Sequence, residues 1–182
     1  ANILATAAAI AAVLAGLPDA VAIGLHFLPL PYVLVAVVGV WRSADKSFEE
    51  GVKIVFSSAG HPGKFIKILK EREIKVAHVI PSVKHALKAE EVGCDAVVGE
   101  GVEAGGHNGI NETTTISLIP QLVDAVKIPV IATGGIADGR GILAALSLGA
   151  EGVQIGTRFA ATVESSAHDN YKNKVVEAKD DG

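Results

Sequence analysis

Residues 129–159 read PVIATGGIADGRGILAALSLGAEGVQIGTRF, and the fold is decided there. Val130 to Thr133 is a short apolar run rich in β-branched side chains, suited to a strand buried on both faces. It stops at Gly134-Gly135. Asp138 has the chemistry of an N-cap, because its carboxylate can accept from the free N–H groups of a first helical turn. The helix it starts has Ile142, Leu143, Leu146 and Leu148 among its apolar positions. Gly149 stands where a left-handed cap is favoured. Gly152 to Thr157 is a second buried run, ending at Gly156-Thr157. A strand–turn–helix–strand unit makes its two strands parallel, with a right-handed crossover. Both strands then end in small residues at one sheet edge, where backbone N–H groups can approach a phosphate closely. In a parallel barrel the loops after strands seven and eight are the usual phosphate grip.

The chain has 182 residues, enough for one domain with a substantial core. Hydrophobic residues make up 49% and charged residues 20%, which argues against disorder. The net charge of −4 and the lack of a basic patch with interleaved aromatics argue against a nucleic-acid partner. A single Cys, Cys94, rules out an intrachain disulfide and a cysteine metal cluster, and fits the reducing cytoplasm. It precedes a strand, at the barrel end away from the chemistry, and packing is its expected role. The sequence contains no Met, which points to a processed, partial or edited form of a longer chain.

Residues 1–17 are rich in Ala and favour helix, which Gly16 and Pro18 would end. Residues 20–41 have the length of a bilayer span, but Gly24, Pro29, Pro31 and Gly39 interrupt them. A buried strand over Val21 to Phe27 followed by a loop explains the pattern better, so no membrane is expected. From Gly51 the alternation is regular. Strands are expected at Val52–Ser57, Ile74–Ile80 and Asp95–Gly99, with helices at Pro62–Glu73 and Pro81–Val92. Val83, Ala86 and Leu87 form the stripe of the second helix. Glu100 to Gly109 is a Gly-rich loop. Ile119, Leu122, Val123 and Val126 mark the next helix face, with Pro120 tolerable in its first turn. Alternation without hairpins predicts a parallel (β/α)8 TIM barrel. Five strands follow Gly51 and the first 50 residues hold two at most, so the barrel is incomplete or partly represented at its N-terminus.

Active sites of such barrels lie at the C-terminal ends of the strands. That rule sorts the six His residues. His85 and His168 fall on helical or post-barrel stretches, and His78 falls inside a strand, where a satisfied hydrogen bond is the default. His26 is near the end of the N-terminal strand. His61 and His107 sit in mouth loops. His107 is the sharper candidate, because its loop GEGVEAGGHNG, with Gly106 beside it, has the backbone freedom to approach a ligand. A His over a ligand can act as general acid or base near neutral pH. The competing reading is a loop His that bonds backbone. Glu100, Glu103 and His107 do not make a convincing metal set, and Glu103 reads as a loop-orienting residue. Arg140 and Arg158 could support a phosphate; a surface ion pair is favoured for Arg140.

Three stretches, EGVEAGGHNG, IPVIATGGIADGRGILAALSLGAEGVQIGTRF and ESSAHDNYK, together resemble the nitronate monooxygenase family, which includes the flavin-dependent enoyl-acyl-carrier-protein reductase II enzymes. The resemblance runs from about Gly51 to the C-terminus; residues 1–50 match poorly, lacking the family's QGGM-like turn and GGLGIIG strand. It implies one FMN-binding TIM-barrel domain over residues 1–182. The FMN phosphate would lie on Gly134-Gly135 and on Gln154-Ile155-Gly156-Thr157, and His107 would be the catalytic histidine. In a monooxygenase it would help remove the proton α to a nitro group, with oxygen as the oxidant. In the reductase, NAD(P)H would be co-substrate and the same His would help protonate the carbon beside the thioester carbonyl. The partner implied is a small-molecule substrate or an acyl thioester, and a homodimer is compatible with it.

The nitronate reading comes first and the enoyl reductase second, although ESSAHDNYK leans to the reductase. A third reading is a truncated, non-catalytic barrel that binds a phosphate ligand. An inosine-monophosphate-dehydrogenase-like barrel is set aside, because Cys94 is not in a mouth loop.

Overall fold

A computed structural model describes residues 51–58, 60–106 and 108–179. The readings at residues 1–17, Val21–Phe27 and His26, together with His107, lie outside the described residues. The elements, in chain order, are β1 (Ile54–Ser57), α1 (Gly63–Glu71), β2 (Lys75–Ile80), α2 (Val83–Glu91), β3 (Ala96–Glu100), α3 (Thr115–Ala125), β4 (Val130–Thr133), α4 (Gly139–Ser147), β5 (Gly152–Gln154), α5 (Thr157–Ala160) and α6 (Asp169–Glu177). The five strands form one sheet in the order β1-β2-β3-β4-β5, every pair parallel. Five strands after Gly51 were expected, and the described residues contain five.

The apolar periodicity accounts for the core. Val76 and Ile80 of β2, Val97 and Val98 of β3, and Ile119 and Leu122 of α3 are its largest fully buried side chains. Burying each stabilises by about 1.5–3 kcal/mol relative to leaving it in water. Gly99 allows α3 to sit this close, since a Cβ there would lie 2.5 Å from Leu122 Cδ1 and 2.9 Å from Ile119 Cδ1. Gly99 therefore faces α3, and its neighbour Glu100 faces the opposite side of the sheet. On that opposite side Ile54 and Phe56 of β1 are more than half exposed among the described residues. Polar staples join the strand starts: the Asp95 carboxylate accepts from Val76 N at 2.8 Å and from Lys70 Nζ at 2.6 Å.

Several boundaries differ from the sequence reading. The run Gly152–Thr157 is strand only to Gln154, after which Thr157 opens α5. Gln154 pairs with Thr133, the last residue of β4, so a longer β5 would have no ladder partner on that side. Pro120 lies inside α3 and not in its first turn. The N–H it lacks would have served the carbonyl of Ile116, an exposed residue. In α4 only Ala145 is buried, while Leu143 and Leu146 are exposed. In α2 the buried positions are Ala86 and Ala89, and Leu87 faces out. Small residues occupy the contacts where these helices meet the sheet, which periodicity alone does not reveal.

His78 makes the satisfied hydrogen bond expected of it: Nδ1 lies 2.8 Å from Ser57 Oγ of the neighbouring strand. Burial pushes the His78 imidazole below its ordinary value. The unfolded chain therefore takes up this proton before the folded chain does, so the His78 contribution is lost as pH falls through the ordinary imidazole range. Melting temperature should decline between about pH 7.5 and about pH 5.5, and the His78→Asn variant should show a flatter profile over the same interval. An unchanged profile in that variant would remove His78 as the source.

Candidate functional site

Register places three side chains in one layer at the strand ends. Glu100 pairs with Thr133, and Thr133 pairs with Gln154. Register-paired residues of parallel strands share a face, so all three lie on the side away from α3. They border a cleft of about 1180 Å³. The rim is built from the loop after β3, with Ala104, Gly105 and Gly106; the turn after β4, with Gly134 and Gly135; and the turn after β5, with Gly156 and Thr157. The far wall comes from α5 and α6, through Ala160, Tyr171 and Val175 among others.

Six of the seven residues expected to hold the cofactor thus line a single cleft: Gly106, Gly134, Gly135, Gln154, Gly156 and Thr157. Ile155 does not line it, since β5 ends before it and the chain turns. His107 lies outside the described residues, although both its neighbours are described: Gly106 at the cleft and Asn108, whose Nδ2 donates to Val102 O at 2.7 Å and Ala104 O at 3.0 Å. Among the described residues, the backbone N–H groups of Gly135, Gly156 and Thr157 donate to no loop, turn or side-chain acceptor. A cradle of donors of this kind fits the phosphate of a nucleotide cofactor.

The two rim turns differ in how tightly they are held. Gly134 has φ +111°, and a Cβ there would lie 2.7 Å from Thr115 Oγ1 and 3.0 Å from Gly101 O. Its lack of a side chain serves both conformation and close approach. Gly156 has open space at the Cβ position. A side chain at Gly156 has room, and a residue that borders the cleft gives it one direction in which to intrude.

Glu103 orients the loop, as its sequence position suggests. Its carboxylate accepts from Thr115 N at 2.9 and 3.1 Å. Thr115 Oγ1 lies 3.0 Å from the same carboxylate and 2.9 Å from Gly134 O. Thr115 is buried and carried no motif in the sequence, so this link was not legible there. Glu100 is half-buried in the cleft, and burial raises its carboxyl above the ordinary range. No group of three or more His, Cys, Asp or Glu side chains is placed to hold a metal among the described residues.

The remaining candidates fall where surface or packing roles put them. The Arg140 side chain pairs with Asp138, which also caps α4 by accepting from Arg140 N at 2.9 Å. Arg158 borders the cleft. His168 caps α6, its Nδ1 accepting from Asn170 N at 3.1 Å. His85 is an exposed helix residue, bonded to Ser82 Oγ, and His61 Nδ1 accepts from Gly63 N. Cys94 is buried just before β3, and burial pushes its thiol up, away from nucleophilic chemistry. No helix among the described residues is long and apolar enough to cross a membrane.

Residues 32–182 match the family model for nitronate monooxygenase. The chain belongs to the nitronate monooxygenase family. A probable nitronate monooxygenase of Staphylococcus saprophyticus subsp. saprophyticus is 44% identical over 146 residues, which are 75% of this chain and 41% of that protein. One from Staphylococcus aureus is 43% identical over 145 residues, again 41% of its length. The chain therefore spans about two-fifths of the curated relatives it matches. Among solved structures, FabK from Thermotoga maritima is similar with a TM-score of 0.70 and 52% identity, over 73% of this chain and 42% of that one. A nitroalkane oxidase from Streptomyces ansochromogenes follows with a TM-score of 0.65 and 31% identity, over 73% of this chain and 41% of that one. These neighbours are TIM-barrel enzymes, and the five parallel strands with their helices are part of that barrel.

The rim separates two effects of substitution. Gly134→Ala should lower stability, because it crowds Thr115 and Gly101 in a left-handed conformation, with a cost of about 1–3 kcal/mol by chemical denaturation. Gly156→Leu should leave the denaturation midpoint within error of the parent and act on ligand binding alone. A large stability loss at Gly156 would contradict the open space seen there.

Proposed function

We propose that this chain forms the cofactor-binding part of an FMN-dependent oxidoreductase that oxidises nitronates or nitroalkanes with oxygen. The observation that carries the reading is the cleft where Gly106, Gly135, Gly156 and Thr157 converge from three separate strand ends, and where the N–H groups of Gly135, Gly156 and Thr157 donate to no loop, turn or side-chain acceptor among the described residues. Gly134-Gly135 and Gln154 to Thr157 would hold the phosphate. FMN, when bound, supplies the redox chemistry. Gly106 lets the loop backbone come close to the ring, and His107 holds or moves a proton at its imidazole. With a nitroalkane as substrate that proton comes from the carbon α to the nitro group; a nitronate has already lost it. The family match supports this reading, as does the Streptomyces nitroalkane oxidase at 31% identity. The domain reading belongs to the same proposal: one barrel domain over residues 1–182, acting on a small molecule in the cytoplasm, with a homodimer as the assembly to test.

The second reading is an enoyl-acyl-carrier-protein reductase II type enzyme with NAD(P)H as co-substrate. It is favoured by the higher identity to the Thermotoga FabK, 52%. His107 would then deliver a proton to the carbon beside the thioester carbonyl. A third reading, a non-catalytic barrel that binds a phosphate ligand, would need only the glycine rim.

Purified chain mixed with FMN should show the visible flavin bands after desalting; a colourless product favours the non-catalytic reading. Oxygen uptake with a nitronate, against NADPH oxidation with a crotonyl thioester, separates the first two. His107→Ala should keep flavin and lose turnover by about 10²–10⁴-fold, the usual contribution of a positioned acid or base. Full turnover in that variant would refute the catalytic assignment.

A further inference from the structure

The N-cap position of α3 is held by Thr114, whose side chain makes no cap hydrogen bond to the helix. The first turn of α3 is served from elsewhere. Glu103, 12 residues before Thr115, presents both carboxylate oxygens to Thr115 N. A carboxylate is well matched to this place, because the N-terminal turn carries free donors and a partial positive charge. The Thr115 hydroxyl has one proton and lies near the Glu103 carboxylate, Gly134 O and Thr133 O, at 3.0, 2.9 and 3.3 Å. It therefore donates to one of these at a time, while its own N–H keeps the carboxylate in place.

Packing repeats what the hydrogen bonds do. A Cβ on Gly135 would lie 3.1 Å from Glu103 Cβ, so the Glu103 stem runs directly against that glycine. A Cβ on Gly101 would lie 2.5 Å from Glu103 Oε2. The loop is also clasped within itself, since Asn108 Nδ2 holds the carbonyls of Val102 and Ala104. Glu103 and Asn108 stand on either side of Ala104, Gly105 and Gly106 in the chain. A glycine-rich segment of this kind has much conformational freedom to lose, and these contacts are what restrain it.

We propose that Glu103 and Thr115 are positioning residues, which lock the 101–109 loop carrying His107 to the Gly134-Gly135 turn. The loop and the turn then hold one geometry, so that a cofactor gripped by the turn stands in a constant relation to the histidine's loop. Neither residue is asked to touch the reacting atoms. The proposal rests on the FMN reading for its consequence, and on the contacts above for its mechanism. A plain helix-capping role would lower stability without changing the loop or the rim.

The test uses the 182-residue chain and its Glu103→Gln, Thr115→Val and Thr115→Ser variants. Amide hydrogen exchange is read in the flavin-free protein, FMN affinity by fluorescence titration, and global stability by thermal melting. Glu103→Gln and Thr115→Val should speed exchange across residues 101–109 by about tenfold and weaken FMN binding by a similar factor. Exchange in β2 and β3 should stay at the parent rate. Thr115→Ser keeps the hydroxyl and should restore both. A lowered melting temperature with loop exchange and FMN affinity unchanged would overturn the proposal in favour of simple capping. If the parent fails to bind FMN, faster loop exchange still supports the lock and the FMN reading falls alone. If the parent binds FMN and the loop does not loosen in the variants, the lock falls and the FMN reading stands.

Discussion

The contact between the Glu103 carboxylate and the first turn of α3 governs how the rim is arranged. Three things meet there: the first part of the loop after β3, the start of α3 and, through the Thr115 hydroxyl, the carbonyl of Gly134. Each belongs to a different part of the strand–helix alternation. Hydrogen bonds to a charged group contribute about 1.5–3 kcal/mol each, more than neutral ones. A carboxylate that must serve a helix end leaves little freedom to the residues on either side of it. The glycines at 101, 134 and 135 are the other half of this constraint, because a side chain at any of them would occupy the space the contact needs.

Around this point the barrel architecture does what parallel sheets do. Crossovers of one hand place the helices on one face and the strand ends at one rim. At that rim Gly101 N still donates to Thr133 O of β4, while among the described residues the N–H groups of Gly135, Gly156 and Thr157 donate to no loop, turn or side-chain acceptor. Glu100, Thr133 and Gln154 reach the rim together because the register of β3, β4 and β5 brings them level. The family match fits this arrangement, and so do the two enzyme structures over the same portion of the chain. Family membership leaves the substrate open. The glycine rim offers the same backbone donors whichever substrate is used, so it does not distinguish a nitronate from an enoyl thioester.

Much of this was legible in the residues. Val130 to Thr133, the Asp138 cap and Gly149 with its positive φ stand where the one-dimensional pattern puts them. The errors share a cause. The β5 strand was read too long because Ile155 continues the apolar run, yet strand length is set by the partner, and β4 turns away at Gly134. Leu143, Leu146 and Leu87 carry the apolar pattern of their helices, but the positions those helices bury are Ala145, Ala86 and Ala89. Thr115 was missed because a threonine at a helix start has no distinctive signal until its distant partners are known.

The sequence by itself determined the alternation of strands and helices, the parallel sheet, the rim glycines and the histidine loop. These follow from short-range chemistry: periodicity, caps, and the backbone freedom of glycine. Tertiary structure alone decided where β5 stops, which helix positions are buried, and that Glu103 reaches across to Thr115 while Thr115 reaches on to Gly134. Such contacts join residues far apart in the chain, and their partners are defined only when the strands have taken their register.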